Sequence, residues 1–347
     1  MSTTGTSRIS NDFLHVRPDW LALRSEPVLE PDLPIVDPHH HLWDRVGDRY
    51  LLPELIADTG SGHKILATVF VEARVMYRAD GPEEIRSVGE TEFVNGIAAM
   101  SASGGYGPTR ACAGIVGKTD LRYGSRTKGI LEKHVAAAGG RFRGVRNGSA
   151  WHREGIKATS ANPPPGLLLD TAFREGFATL ADLGLSFDAW LLHTQIGELV
   201  DLANAFPDTT IVLDHVGGPI GIGSYAGRRD EVMAEWRRSI REIAQCPNVV
   251  LKIGGMGMHL FGFEFHAEPL PPTSQDLAPA WRPYVETCIE AFGPDRCMLE
   301  SNFPVDKGSC SYVALWNAFK RITAGCSAAE KTALYSGTAA RVYRLDL

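Results

Sequence analysis

The chain has 347 residues, 44% of them hydrophobic and 22% charged, with a net charge of −6. No Lys/Arg block marks a nucleic-acid surface, and no apolar run is long enough to cross a bilayer. The opening MSTTGTSRISNDF lacks the cationic-then-apolar order of a signal peptide, and the size suits either two domains or one large barrel.

Residues 1–32 form an N-terminal extension in which Arg17-Pro18-Asp19-Trp20 is expected to strap across the base of the fold that follows. The first predicted strand, 33–37, runs into Asp37-Pro38-His39-His40-His41-Leu42-Trp43. Side chains alternate along a strand, so His39 and His41 share a face and His40 turns away. Two neutral imidazoles on one face suit a single metal ion. Asp37, on the same side, is expected to orient one of them.

Seven more apolar segments read as buried strands: 65–72, 111–116, 142–146, 186–192, 210–214, 249–253 and 297–301. Amphipathic stretches of helical length fall between them at 82–100, 126–138, 172–183, 196–205, 230–245 and 281–292, and another follows at 311–322. Strand starts recur every ~38 residues, the rhythm of βα units. The strands are apolar throughout, as in a parallel sheet covered on both faces, and no glycine-rich nucleotide loop follows any of them. The pattern predicts an α/β fold, a (β/α)8 TIM barrel over 33–347, with long loops after strands four (149–165) and seven (256–277). The second loop carries His259, Phe261, Phe263, Phe265 and His266, and both loops are expected to cover substrate.

Barrel chemistry sits at the C-terminal ends of the strands. There the sequence places His39 and His41, Glu72 and Arg74, Arg146, His193, Asp214-His215, Lys252, and Glu300 with Asn302. Four histidines on strands one, five and six at one end suggest a site. Glu72, Arg74 and Arg146 read equally well as a salt-bridge network or as a carboxylate-binding set, and Lys252 reads as structural. Six cysteines without a CxxC pair read as buried reduced thiols of a cytoplasmic protein.

Several motifs, taken in order, resemble the amidohydrolase superfamily, in particular its family-2 lactonases. They are Asp37-Pro-His-His-His-Leu-Trp, Phe142-Arg-Gly-Val-Arg, Asp214-His-Val-Gly-Gly, Leu251-Lys-Ile-Gly-Gly, Glu300-Ser-Asn-Phe-Pro and Thr338-Ala-Ala-Arg-Val-Tyr-Arg-Leu. The resemblance implies a divalent metal, zinc first, on His39, His41 and His193, with His215, Glu300 and Asn302 catalytic. Glu72, Arg74, Arg146, His259 and Phe261 would bind substrate. Asn302 stands where the family carries a metal-binding, proton-accepting aspartate, and an amide is no base. A metal-independent mechanism is therefore the alternative, with Glu300, Asp306 or His215 as base. The expected activity is hydrolysis of a lactone or related ester of a small anionic substrate. Non-oxidative decarboxylation of an aromatic acid and a non-catalytic binding barrel are the competing readings. Neither nucleic acid nor membrane is expected as a partner, and a homo-oligomer is left open.

Overall fold

A computed structural model describes residues 14–158 and 161–347, so residues 1–13 and two positions of the loop after strand four lie outside the described residues. Eight parallel strands follow one another around a barrel in chain order. They are β1 (Pro34–His40), β2 (Lys64–Val71), β3 (Arg110–Lys118), β4 (Phe142–Arg146), β5 (Ser186–Ala189), β6 (Ile211–Leu213), β7 (Val249–Ile253) and β8 (Cys297–Leu299). The ring closes where the end of β1 meets the segment after β8. There His41 N donates to Phe303 O at 2.8 Å and Asn302 N donates to His39 O at 2.9 Å. The barrel interior is packed with Val36, Val69, Val116, Val212 and Val250, and Tyr343 of the C-terminal segment joins this cluster. A larger apolar layer lies between the strands and the helices.

The helices of eight residues or more are α1 (Leu52–Thr59), α2 (Val88–Ala102), α3 (Thr127–Ala137), α4 (Thr171–Asp182), α5 (Ile196–Ala205), α6 (Arg229–Ile243), α7 (Ser274–Phe292) and α8 (Tyr312–Ile322). Helix α2 starts at Val88, later than the expected 82, and two others also depart from the sequence reading. Helix α1 is short and was not expected; Pro53 sits in its first turn and Glu54 caps it by accepting Leu51 N at 2.9 Å. Helix α7 starts at Ser274, about two turns before the expected 281, and carries Pro279 and Pro283 within it. Thr273 and Asp276 fix that start by a reciprocal cap, Thr273 N donating to Asp276 Oδ2 at 2.8 Å.

The N-terminal strap is present but runs down the outer wall instead of across the base. Trp20 Nε1 donates to Glu268 O in the β7–α7 loop at 3.0 Å. Lower down, Asn317 and Lys320 of α8 hold the main chain of Pro27, Leu29 and Glu30. All six cysteines are free, and no helix among the described residues is long and apolar enough to cross a membrane.

Candidate active site

The C-terminal ends of the strands surround a cavity open to solvent. Its wall includes His41, Glu72, Arg74, Arg146, His215 and Asn302. It also includes residues that sequence reasoning did not assign to substrate: Trp43, Arg45, Trp190 and Met258. Trp43 and Arg45 lie in an antiparallel hairpin, Trp43–Arg45 against Asp48–Tyr50, inserted between β1 and α1. The Arg45 guanidinium stacks over the Trp43 ring at 4.4 Å.

At the end of β1 the alternation places the rings as expected. His40 turns away to Thr68 Oγ1 at 2.8 Å, while Nε2 of His39 and Nε2 of His41 lie 3.3 Å apart. The opposite nitrogen of each is engaged. His41 Nδ1 donates to Val71 O at 2.8 Å, and His39 Nδ1 lies 2.9 Å from Glu300 Oε2. The Val71 contact leaves Nε2 as the lone-pair nitrogen of His41, while Nδ1 of His39 stands between Glu300 and the Lys252 ammonium. Burial, reinforced by Lys252 beside His39 and Arg146 beside His41, pushes both pKa values well below the ordinary histidine value, so both rings are neutral.

Asp37 does not orient a histidine ring. Its Oδ1 accepts Ser301 N at 3.0 Å and its Oδ2 accepts Tyr312 OH at 3.0 Å, so it ties β1 to the segment after β8. Burial raises its pKa to about 6.

Glu300 is the hub of the site. Its Oε1 lies 2.6 Å from Nδ1 of His215, and its second oxygen serves His39. Burial would favour the neutral acid, but His215 and His39 outweigh it and hold the pKa at about 2. Gly254 and Gly255 make this arrangement possible. A Cβ on Gly254 would lie 2.3 Å from Glu300 Cγ, and one on Gly255 would lie 2.6 Å from His215 Cγ. Three non-glycine residues in the cavity wall have left-handed backbones: Arg74 at φ 59°, His215 at 53° and Asn302 at 55°. Such strain collects at working sites.

Beneath these rings lies a charged floor. Lys252 is fully buried; its Nζ donates to Asp188 Oδ2 at 2.6 Å and lies 3.3 Å from Asp214 Oδ1 and 3.2 Å from His39 Nδ1. Burial disfavours its charge, yet Asp188, Asp214 and Glu300 hold its pKa above the ordinary lysine value. Tyr343 OH donates to the same Asp188 oxygen at 2.8 Å. Arg146 is locked by Glu72, with Nε donating to Oε1 at 3.0 Å and Nη2 donating to the main-chain oxygen at 2.6 Å. Its Nη1 lies 3.3 Å from His39 Nε2. Glu72 and Arg146 thus form a salt bridge and both line the cavity.

The three base candidates separate by position. Both Asp306 oxygens are taken, by Gly257 N and by Asn302 Nδ2, each at 2.8 Å, and Asp306 is not in the cavity wall. Glu300 is committed to two histidines behind the wall. Only His215 of the three lines the cavity. Asn302 does line it, and its Oδ1 is buried without a hydrogen-bond partner among the described residues.

Three expected site residues lie elsewhere. His193 is not among His39, Asp214 and His215, whose donor atoms fall within 4.8 Å of one another. β5 ends at Ala189, and three more residues pass before His193 opens a 3-10 turn. Its ring packs edge-on to Tyr225 at 5.6 Å, its Nδ1 accepts Ile220 N at 3.3 Å, and its Nε2 is unpartnered. His259 is exposed on the outer loop, and Phe261 is buried against Tyr284. Neither lines the cavity.

The donor set was tested for a divalent ion. Zinc–imidazole bonds of ~2.1 Å at a tetrahedral angle put two nitrogens ~3.4 Å apart, and the His39–His41 separation of 3.3 Å fits. The Arg146 guanidinium, with Nη1 3.3 Å from His39 Nε2, is the positive group already beside this pair. Asp214 and His215 are the further donors near His39.

A family model described as amidohydrolase matches residues 36–345. The uncharacterized protein y4mH of Sinorhizobium fredii is 35% identical over 90% of this chain and 99% of its own length. An L-fucono-1,5-lactonase of Burkholderia multivorans is 26% identical over 89% of this chain and 96% of its own. A crystal structure of an amidohydrolase from Burkholderia multivorans with bound zinc is also 26% identical. It superimposes with a TM-score of 0.68 over 90% of this chain and 99% of that one.

Proposed function

The chain belongs to the amidohydrolase family, and from that premise we propose that it hydrolyses a lactone or related ester of a small carboxylated substrate. The observation that carries the reading is the His215–Glu300 pair at 2.6 Å, with the imidazole in the cavity wall and the carboxylate behind it. The similarity to a sugar lactonase supports the substrate class.

With Nδ1–H held by Glu300, His215 keeps Nε2 as an acceptor. Water gives a proton to this nitrogen as its oxygen attacks the substrate carbonyl, and Glu300 balances the imidazolium that forms. The ester C–O bond then breaks, and His215 Nε2–H returns the proton to the departing oxygen, leaving a hydroxyl and a carboxylic acid that ionises by releasing its proton to solvent. Arg146, fixed by Glu72, presents positive charge to the developing oxyanion. Arg45 and Arg74 in the same wall hold the substrate's own carboxylate, and Trp43 and Trp190 give it flat apolar surface. A divalent ion would be held by Nε2 of His39 and of His41, and when bound it would supply Lewis acidity and a water of lowered pKa. Both rings are neutral, as ligation requires.

The test is a panel of five- and six-membered lactones, with and without a carboxylate, followed by acid release. Carboxylated lactones are expected to be opened with the highest kcat/KM. Carbon dioxide release from aromatic acids without lactone opening would contradict the proposal.

A further inference from the structure

The β7–α7 loop carries a second group of metal-ligating side chains away from the barrel mouth. His259, Glu264 and His266 bring one donor atom each to within 4.8 Å of one another. His259 Nδ1 lies 3.6 Å from Glu264 Oε1, and His266 Nε2 lies 3.7 Å from Glu264 Oε2. The two imidazoles stand nearly perpendicular, at 89°, with centroids 5.6 Å apart. We propose that these three residues form a surface site for a divalent cation of the zinc class, distinct from the barrel mouth.

The local fold explains how residues five and seven apart meet. Two 3-10 turns, His259–Phe261 and Glu264–Ala267, flank Gly262 at φ 66°, where the backbone reverses. The frame is fixed from below. Phe261 is buried, Phe263 stacks on Phe265 at 5.7 Å, and the Arg229 guanidinium lies 4.3 Å over Phe263. The strap fixes it from the side, with Arg17 bonded to His266 O and Trp20 to Glu268 O. The donors stand on a braced loop, so an ion need order only side-chain ends.

Two imidazoles and one carboxylate suit zinc, nickel or copper and not calcium or magnesium, which take oxygen ligands. A tetrahedral ion with bonds of ~2.0–2.2 Å wants its donors ~3.4 Å apart. The two His–Glu contacts, at 3.6 and 3.7 Å, are near that spacing, and the two imidazoles, whose donors lie within 4.8 Å, would close the remaining gap by side-chain rotation. Glu264 supplies the negative charge, and Arg17 is the opposing charge beside His266. Met258, which lines the catalytic cavity, directly precedes His259. An ion here would therefore brace one wall of the mouth.

The experiment counts bound zinc by equilibrium dialysis, using full-length chain made without a polyhistidine tag and stripped with chelator. The parent is compared with His259→Ala/His266→Ala and, separately, with His39→Ala/His41→Ala. The loop variant is expected to bind one zinc fewer per chain than the parent at the same folded fraction. The mouth variant is expected to keep that loop-bound ion, and its zinc-induced rise in Tm should disappear when the loop substitutions are added. Equal zinc counts in the parent and the loop variant would overturn the proposal. A mouth that binds no zinc would leave this comparison intact. Because the loop histidines are surface residues, the loop comparison stands even if the mouth variant fails to fold.

Discussion

Glu300 grips Nδ1 of His215 at 2.6 Å with one oxygen while its other oxygen lies 2.9 Å from Nδ1 of His39. One buried carboxylate thus holds the ring proposed as base and stands beside the ring proposed as metal or oxyanion partner. Glutamine at 300 removes the negative charge that balances a His215 imidazolium and can present its NH2 in place of an acceptor to Nδ1. Glu300→Gln is expected to lower kcat by ~10²–10⁴ with little change in KM. A steady-state comparison, with near-UV circular dichroism to confirm packing, checks it; wild-type kcat would remove Glu300 from the mechanism.

Gly255 has φ 68°, and a Cβ there would press on His215 Cγ and Nδ1 at 2.6 Å. Gly255→Ala is expected to cost ~1–3 kcal/mol from backbone strain. A shift of the ring of ~1 Å would lower kcat ~10²-fold. Urea unfolding and turnover measure the two effects separately. A stable variant with unchanged kcat would show that the ring has room the structure does not give it.

Arg45 reaches the cavity from the hairpin after β1, stacked on Trp43 and bonded to Ala73 O at 3.3 Å. Arg45→Ala is expected to raise KM for a carboxylated lactone ~10–100-fold, the loss of a charge-assisted hydrogen bond of ~1.5–3 kcal/mol. KM for an uncharged lactone should hardly move. Equal losses for both substrates would place Arg45 in the scaffold.

Asp306 and Glu300 predict opposite pH slopes in stability. Burial raises Asp306 to about 7 from 3.8. Between those values the folded chain keeps a proton that the unfolded chain has released, so stability falls as pH rises and levels off above 7. Glu300, held at about 2 against 4.5 unfolded, contributes stability that is lost as pH falls toward 2. Urea midpoints from pH 4.5 to 7.5 should show a shallower decline in Asp306→Asn than in the parent. An identical slope would contradict the Asp306 assignment.

The barrel was legible because parallel strands buried on both faces are apolar runs at a steady spacing, and His39 and His41 follow from period-two alternation. His193 lies away from the cavity wall: the apolar run 186–192 looks like one strand, whereas β5 stops at Ala189 and the extra residues carry the imidazole to Tyr225. His259 and Phe261 sit on a loop whose course no periodicity encodes. Asp188 left a readable trace, a carboxylate inside an otherwise apolar strand that needs a buried cation, and Lys252 is that cation. Trp43 and Arg45 depend on a hairpin of two three-residue strands, too short to show as an alternating pattern. Gly254-Gly255 stood in the sequence, but only the packing shows which side chains need them.

The central claim is that His215, held by Glu300, moves the proton. Its most direct test is turnover of a carboxylated lactone by His215→Ala, with and without added imidazole. A kcat lowered ~10²–10⁴-fold, restored in part by imidazole as its neutral fraction rises, is the predicted result. Turnover by His215→Ala at the parent rate, insensitive to imidazole, would contradict it.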